Sequence, residues 1–160
     1  MKESLEIDAK NGITLWADAI ELEMNNNRVA FEENDGKIKD LVAYEHISGH
    51  LIFDVKLSVK FRRKVRFVAD GHLVETPASV TYITVLYLDS VRILLLAAAL
   101  NGLEVKGPNV QKAFLSENNL DKHWLRAGPE FGPEQGKVFI VVRALYGLKS
   151  ASAAFRRLWP

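Results

Sequence analysis

Eight consecutive apolar residues, Ile93 to Leu100, form the longest uninterrupted hydrophobic run in the chain. A membrane-spanning helix needs about 20 such residues, so this run reads as a core element. Asp89-Ser90 before it supplies an N-cap, and Asn101-Gly102 after it supplies a C-cap. A helix over 91–100 that is apolar on every face except at Arg92 is expected to be buried. Any fold must then wrap other elements around it, and 160 residues suffice to build such a core.

The charge balance is neutral only in sum. Lys plus Arg number 21 and Asp plus Glu 20, a net of +1. Residues 1–45 hold 5 basic and 11 acidic side chains, whereas residues 46–160 hold 16 basic and 9 acidic. An acidic head thus precedes a basic body, so the total does not argue against a polyanionic partner. A hydrophobic share of 48% and a charged share of 26% exclude wholesale disorder. The absence of cysteine excludes disulfides, Cys-ligated zinc, iron–sulfur clusters and cysteine nucleophiles. Met1 to Lys10 carries acidic residues and no apolar core, unlike a signal peptide. A soluble, intracellular protein with no membrane partner is expected.

Local patterns place the remaining elements. Trp16, Ala19, Ile20 and Met24 recur at helical spacing after Thr14, an N-cap, and Asn25 to Asn27 end that helix. Asn34-Asp35-Gly36 is a turn signal within a polar loop over 32–40. His50 to Val59 and Val65 to Ala69 are β-like, with Lys60-Phe61-Arg62-Arg63 between them, which predicts a basic hairpin closed by Asp70-Gly71. Thr76 to Ser79 reads as a loop, Leu103 to Val105 as a short strand, and Val110 to Leu115 as the start of a helix or turn. His123 to Leu125 and Val138 to Val142 read as strands, flanking a loop bounded by Gly128-Pro129 and Gly132-Pro133. Ala151 to Leu158 closes the chain as a short helix. Short strands and helices mix without βαβ spacing, which favours an α+β fold.

Six segments, in order, resemble the copia-type LTR retrotransposon reverse transcriptases. Trp16 to Ile20 with Glu23-Met24 is similar to the family's opening helix, and Lys64-Val65-Arg66-Phe67-Val68-Ala69 to its "K-A-R-L-V-A" segment. Asp89-Ser90-Val91-Arg92 resembles the "S-I-R" helix, and Asn109-Val110-Gln111-Lys112-Ala113-Phe114-Leu115 resembles "D-V-K-x-A-F-L". Arg126 to Gly132 is similar to the "Q-P-x-G-F" loop, and Ala144 to Lys149 to "A-L-Y-G-L-K". The resemblance implies the fingers and the start of the palm of an RNA-directed DNA polymerase. Residues 1–45 would form an acidic extension with the opening helix, and residues 46–160 the partial polymerase domain.

Such a polymerase joins nucleotides with two metal ions about 3.5–4 Å apart, held by carboxylates. Magnesium, the family's cofactor, prefers hard oxygen ligands. The resemblance puts Asn109 at the position of the family's first metal-binding Asp. An amide there brings no negative charge, so a degenerate metal site is expected, with no productive magnesium binding. Asn109 also suits a turn after Gly107-Pro108. No Asp-Asp pair occurs in the chain, so the family's "Y-x-D-D" turn has no counterpart. No polymerisation is expected.

The resemblance further implies that Lys64 and Arg66 face the triphosphate of an incoming deoxynucleotide, with Val110, Ala113 and Phe114 beside it. Arginine suits phosphate because its planar fork pairs with two oxygens. Strand alternation puts Lys64 and Arg66 on one face and Val65 and Phe67 on the other. Lys56 to Arg66 carries six positive charges and no negative one, which equally describes a solvated basic hairpin. Phe114 reads either as a sugar-sensing ring or as an ordinary core residue. Tyr146, Gly147 and Lys149 would lie under the template–primer base pair, while Ser150 and Ser152 replace the family's Gln and Pro. His46, His50, His72 and His123 suggest no metal site. Asp54 and Asp89 read as structural. Two other functions compete: a non-enzymatic nucleic-acid-binding module, and a protein-interaction module that self-associates through exposed apolar surface.

Overall fold

The computed structural model describes residues 1–36, 41–57, 60–75, 87–107 and 110–156. Two helices, α1 (Lys2–Asn11) and α2 (Leu15–Asn27), lead into a short strand, β1 (Phe31–Glu33). Next come β2 (Glu45–His46) and the long pair β3 (Gly49–Lys56) and β4 (Arg62–Ala69). Helix α3 (Leu88–Leu100), strands β5 (Asn118–Arg126) and β6 (Val138–Arg143), and helix α4 (Ala151–Arg156) follow. The result is a mixed α+β structure. Strands β1-β6-β5-β2 form one four-stranded sheet, and β3-β4 form a separate antiparallel hairpin.

Helix α1 escapes hydrophobic periodicity because its buried positions are polar. Ser4 and Asp8 turn inward, while Leu5 and Ile7 are exposed. The reason lies at the start of α2. Asp8 Oδ2 accepts the amides of Trp16 (2.7 Å) and Ala17 (3.0 Å), two of the unpaired donors that every helix leaves at its N-terminus. The expected cap, Thr14, occupies the N-cap position, but its hydroxyl donates to Asp18 Oδ2 at 3.0 Å. A carboxylate eight residues upstream caps α2 instead, and it also complements the helix dipole.

The main core lies between the four-stranded sheet and the base of the hairpin. Phe31, Phe67, Phe131 and Phe139 meet there, with ring centroids 5.3–5.8 Å apart along Phe31–Phe131, Phe131–Phe139 and Phe31–Phe67. The expected polar loop over 32–40 is corrected in its first residues. Phe31–Glu33 pairs antiparallel with β6, Phe31 opposite Val141, because one buried aromatic anchors a strand whose other residues face water. A smaller cluster joins Trp16 and Ile20 of α2 to Val65 of β4, with Phe53 and Val55 of β3 packed against it. The hairpin is thus shared: Phe67 and Ala69 belong to the main core, and Val65 to the α2 cluster.

Helix α3 does form, and Gly102 at φ +63° follows its C-terminus as the expected left-handed residue. Its burial does not follow. Ala98 is its one buried residue, while Ile93, Leu94, Leu95 and Leu96 are each at least half exposed. No described helix or strand packs along it. The all-apolar sequence fixes what α3 would gain from a neighbour and supplies no neighbour. The helix also begins earlier than expected, at Leu88, so Asp89 sits in its first turn and pairs with Arg92 at 3.2 Å. Leu103 to Val105 forms no strand, and the segment after Val110 makes a turn and one 3-10 turn, Phe114–Ser116. Among the described residues no helix is long and apolar enough to cross a membrane. The expected loop at 76–79 and the last residues of the terminal helix lie outside the described residues.

Candidate nucleic-acid interface

The hairpin owes its two faces to alternation. Val65, Phe67 and Ala69 are buried, whereas Lys64, Arg66 and Val68 lie on the opposite face of β4. Residues directly opposite across a ladder share a face. Lys56↔Arg62, Asp54↔Lys64 and Ile52↔Arg66 therefore extend the outer face across both strands. Four cations and one carboxylate, Asp54, occupy it. Crowding lowers the Lys64 pKa from its ordinary value, first through burial and then through the charges of Arg66 and Lys56, against the opposing pull of Glu23 and Asp54. An anion seated beside Lys64 would relieve this repulsion.

Arg63 does not share that face. Its guanidinium lies 5.3 Å from the Trp16 ring centroid, and Nη1 donates to Phe61 O at 2.8 Å. It therefore covers the α2 cluster. Lys60 and Phe61 turn the chain with positive φ, 48° and 55°, a conformation uncommon for side-chain-bearing residues. Glu23 of α2 accepts the Phe67 amide at 3.0 Å, so a helix side chain satisfies part of β4's outer edge.

The base of β4 meets the Tyr146–Lys149 segment through backbone. Ala69 N donates to Tyr146 O at 2.7 Å. Gly147 has φ +92°, and a Cβ there would overlap Ala69 O. A Cβ on Gly71 would overlap Gly147 O in turn. Glycine is needed at both places so that two chain segments can touch. Lys149 Nζ donates to Val74 O at 2.7 Å, which ties the same segment to the residues after the hairpin. Phe114 packs edge-on to Tyr146, centroids 4.8 Å apart, and also meets Phe155 at 6.3 Å. Phe114 is half-buried at the core margin, Tyr146 is 44% exposed and Val110 41% exposed, while Ala113 is half-buried.

The structure therefore brings Tyr146, Gly147 and Phe114 together at the foot of β4. Arg66 and Lys64 stand three and five residues up the strand, roughly 10 and 17 Å away at the rise of a β-strand. Asn109 lies outside the described residues. Among the described residues no three His, Asp or Glu side chains form a group that could hold a metal ion. The acids nearest the cationic face are engaged: Glu23 Oε1 also accepts Asn27 Nδ2 at 2.9 Å, and Asp54 faces Lys64. These residues do not suit a magnesium pair.

One polar cluster had no motif to announce it. Asp70 accepts the Ser48 hydroxyl at 2.6 Å and contacts His50 Nδ1 at 2.7 Å. The Ser48 bond is the main cause of a lowered Asp70 pKa, burial opposes it, and His50 adds to it. Serine, aspartate and histidine here are not a nucleophile, orienter and base in the order hydrolysis needs. The serine donates to the carboxylate, with no imidazole poised to take its proton. The cluster clamps the open end of the hairpin. The His46 ring lies tilted against Trp124, centroids 4.4 Å apart, and buried His123 places Nε2 3.9 Å from Glu45. Buried Ser150 uses its carbonyl to accept Ala154 N at 2.9 Å.

No family model matches this chain, and no significantly similar curated protein or solved structure was found.

Proposed function

We propose that this chain is a reverse-transcriptase-like fingers and early-palm segment of the copia type. It would bind template–primer nucleic acid and nucleotide phosphates without joining nucleotides. The reading rests on six motifs in family order. The observation that carries it is the arrangement of β4: Lys64 and Arg66 lie on the face away from the core, and the strand's foot is bonded to Tyr146-Gly147. Phosphate contacts dominate such binding and make it salt-dependent. Tyr146 and Phe114 offer rings at the end of the cationic row, where a base or sugar could pack. Asn109 at the family's aspartate position is the reason to expect no catalysis, since an amide cannot supply the charge a metal pair requires.

Fluorescence anisotropy with a labelled template–primer tests the reading. Reversing Lys64→Glu and Arg66→Glu together should weaken binding at least about tenfold, a loss near 1.4 kcal/mol. Unchanged affinity would sink the hairpin assignment. Primer extension with magnesium or manganese should give no product, and robust synthesis would overturn the inactive reading. The second reading, a nucleic-acid-binding module with no nucleotide site, is favoured by the excess of four cations over one carboxylate on that face. A deoxynucleotide triphosphate that competes with template–primer supports the polymerase-derived site; one that does not favours the plain binding module.

A further inference from the structure

A second surface lies along α2, against the Pro129–Glu134 turn, and has the opposite character. Two adjoining cavities of about 350 and 360 Å³ share Met24, Asn25, Glu130, Phe131 and Pro133. Together they form one groove between α2 and the Pro129–Glu134 turn. Leu5 and Ala17 stand at one end, and Arg28 and Phe31 at the other. From Ala17 to Arg28 the groove follows eleven residues of helix, roughly 16 Å. Its floor is apolar, and Met24 gives it an adaptable, unbranched lining.

The rim is acidic. Arg28 and Glu134 are joined as a salt bridge and cancel. Glu21 and Glu130 remain, and neither forms an ion pair among the described residues. Glu21 belongs to the first 45 residues, which carry 11 acids against 5 bases, and the fold brings Glu130 of the basic body beside it. An apolar trough of three helical turns edged by unpaired carboxylates matches one kind of occupant. We propose that this groove docks a short amphipathic helix of a protein partner, with leucine-like anchors on one face and Lys or Arg flanking them. Anchors at i, i+3, i+4 and i+7 cover about 10 Å and fit its length. The flanking cations would meet Glu21 and Glu130. The surface is independent of the hairpin, so its test does not depend on nucleic-acid binding.

The test uses the full chain and two fluorescein-labelled peptides of about 11 residues, three helical turns. Both carry leucine at the four anchor positions; one has lysine flanks and its twin has glutamate flanks. The lysine peptide should bind saturably and at least about tenfold more tightly than its twin. Reversing Glu21→Lys and Glu130→Lys should invert that preference. Ala17→Trp, which plugs one end without changing charge, should weaken binding of the lysine peptide, with circular dichroism confirming that each variant is folded. The proposal fails if no saturable binding is seen or if the two peptides bind equally. It also fails if lysine-peptide binding survives either the charge reversal or Ala17→Trp. A dimer in sedimentation that the lysine peptide dissociates would assign the groove to a second copy of the chain and overturn the partner reading.

Discussion

Single side chains carry a large share of this fold. Asp8 joins α1 to α2 by holding two amides that nothing else in the described structure satisfies. Asp8→Ala should cost about 0.5–2 kcal/mol, the range for a lost N-cap, read by urea denaturation. Asp8→Asn, which keeps an acceptor oxygen, should cost less. Gly147 is constrained twice, by φ +92° and by Ala69 O. Gly147→Ala should lower stability by more than Gly36→Ala, since Gly36 has a similar φ of +88° with nothing within 4 Å of a new Cβ. Thermal melts of the two variants decide this. His123 is pulled below its ordinary pKa of 6.5, by burial first, with Asp121 and Glu45 pulling the other way. The unfolded chain then binds a proton that the folded chain resists. Stability is full above pH 6.5 and falls as pH drops below it. Asp70 works in the same direction at lower pH: its lowered folded pKa adds stability above 3.8 that is lost on acidification. Denaturation midpoints should decline from pH 7 to pH 5 in the parent chain and decline less in His123→Gln.

At the scale of elements, legibility in the sequence follows periodicity. Helix α2 and strands β3 and β4 could be placed because their apolar residues recur at 3.6 or 2 and face a core, and β6 because it is a short continuous β-branched run. Helix α1 could not, since its buried pair is Ser4 and Asp8. The Asp8 cap could not either, because it depends on how two helices meet. Helix α3 shows the other limit: composition described its needs correctly and its surroundings incorrectly. Substituting Leu94→Glu and Leu96→Lys should change stability by no more than about 1 kcal/mol in total, as at exposed sites, and should reduce aggregation. A buried α3 would instead lose several kcal/mol. The alternation of Lys64 to Phe67 and the hairpin's cationic content were legible, but Arg62 and Arg63, expected in the turn, belong to β4, where Arg63 faces inward onto Trp16. Lys64→Ala with Arg66→Ala should flatten the salt dependence of template–primer binding by about two units of log–log slope, one per lost phosphate contact.

For the whole molecule, the candidate site was legible as a set of motifs but not as a place. Residues 64–69 and 146–149 are far apart in sequence, and only tertiary structure brings Ala69 against Tyr146 and Gly147. The reason they can touch was visible, a glycine at 147; what it touches was not. The boundary between the two hydrophobic clusters falls across the hairpin, with Phe67 on one side and Val65 on the other. The foot of β4 is therefore embedded in the main core, while its upper half, with β3 beside it, packs on α2. An eight-residue strand is roughly 26 Å long, so it acts as a lever braced halfway along by Trp16 and Ile20. Trp16 stands in the first turn of α2, and that turn is held by a carboxylate in α1. Asp8 of the acidic head thus supports the turn of α2 that carries Trp16, and through Trp16 the half of the hairpin that presents Lys64 and Arg66.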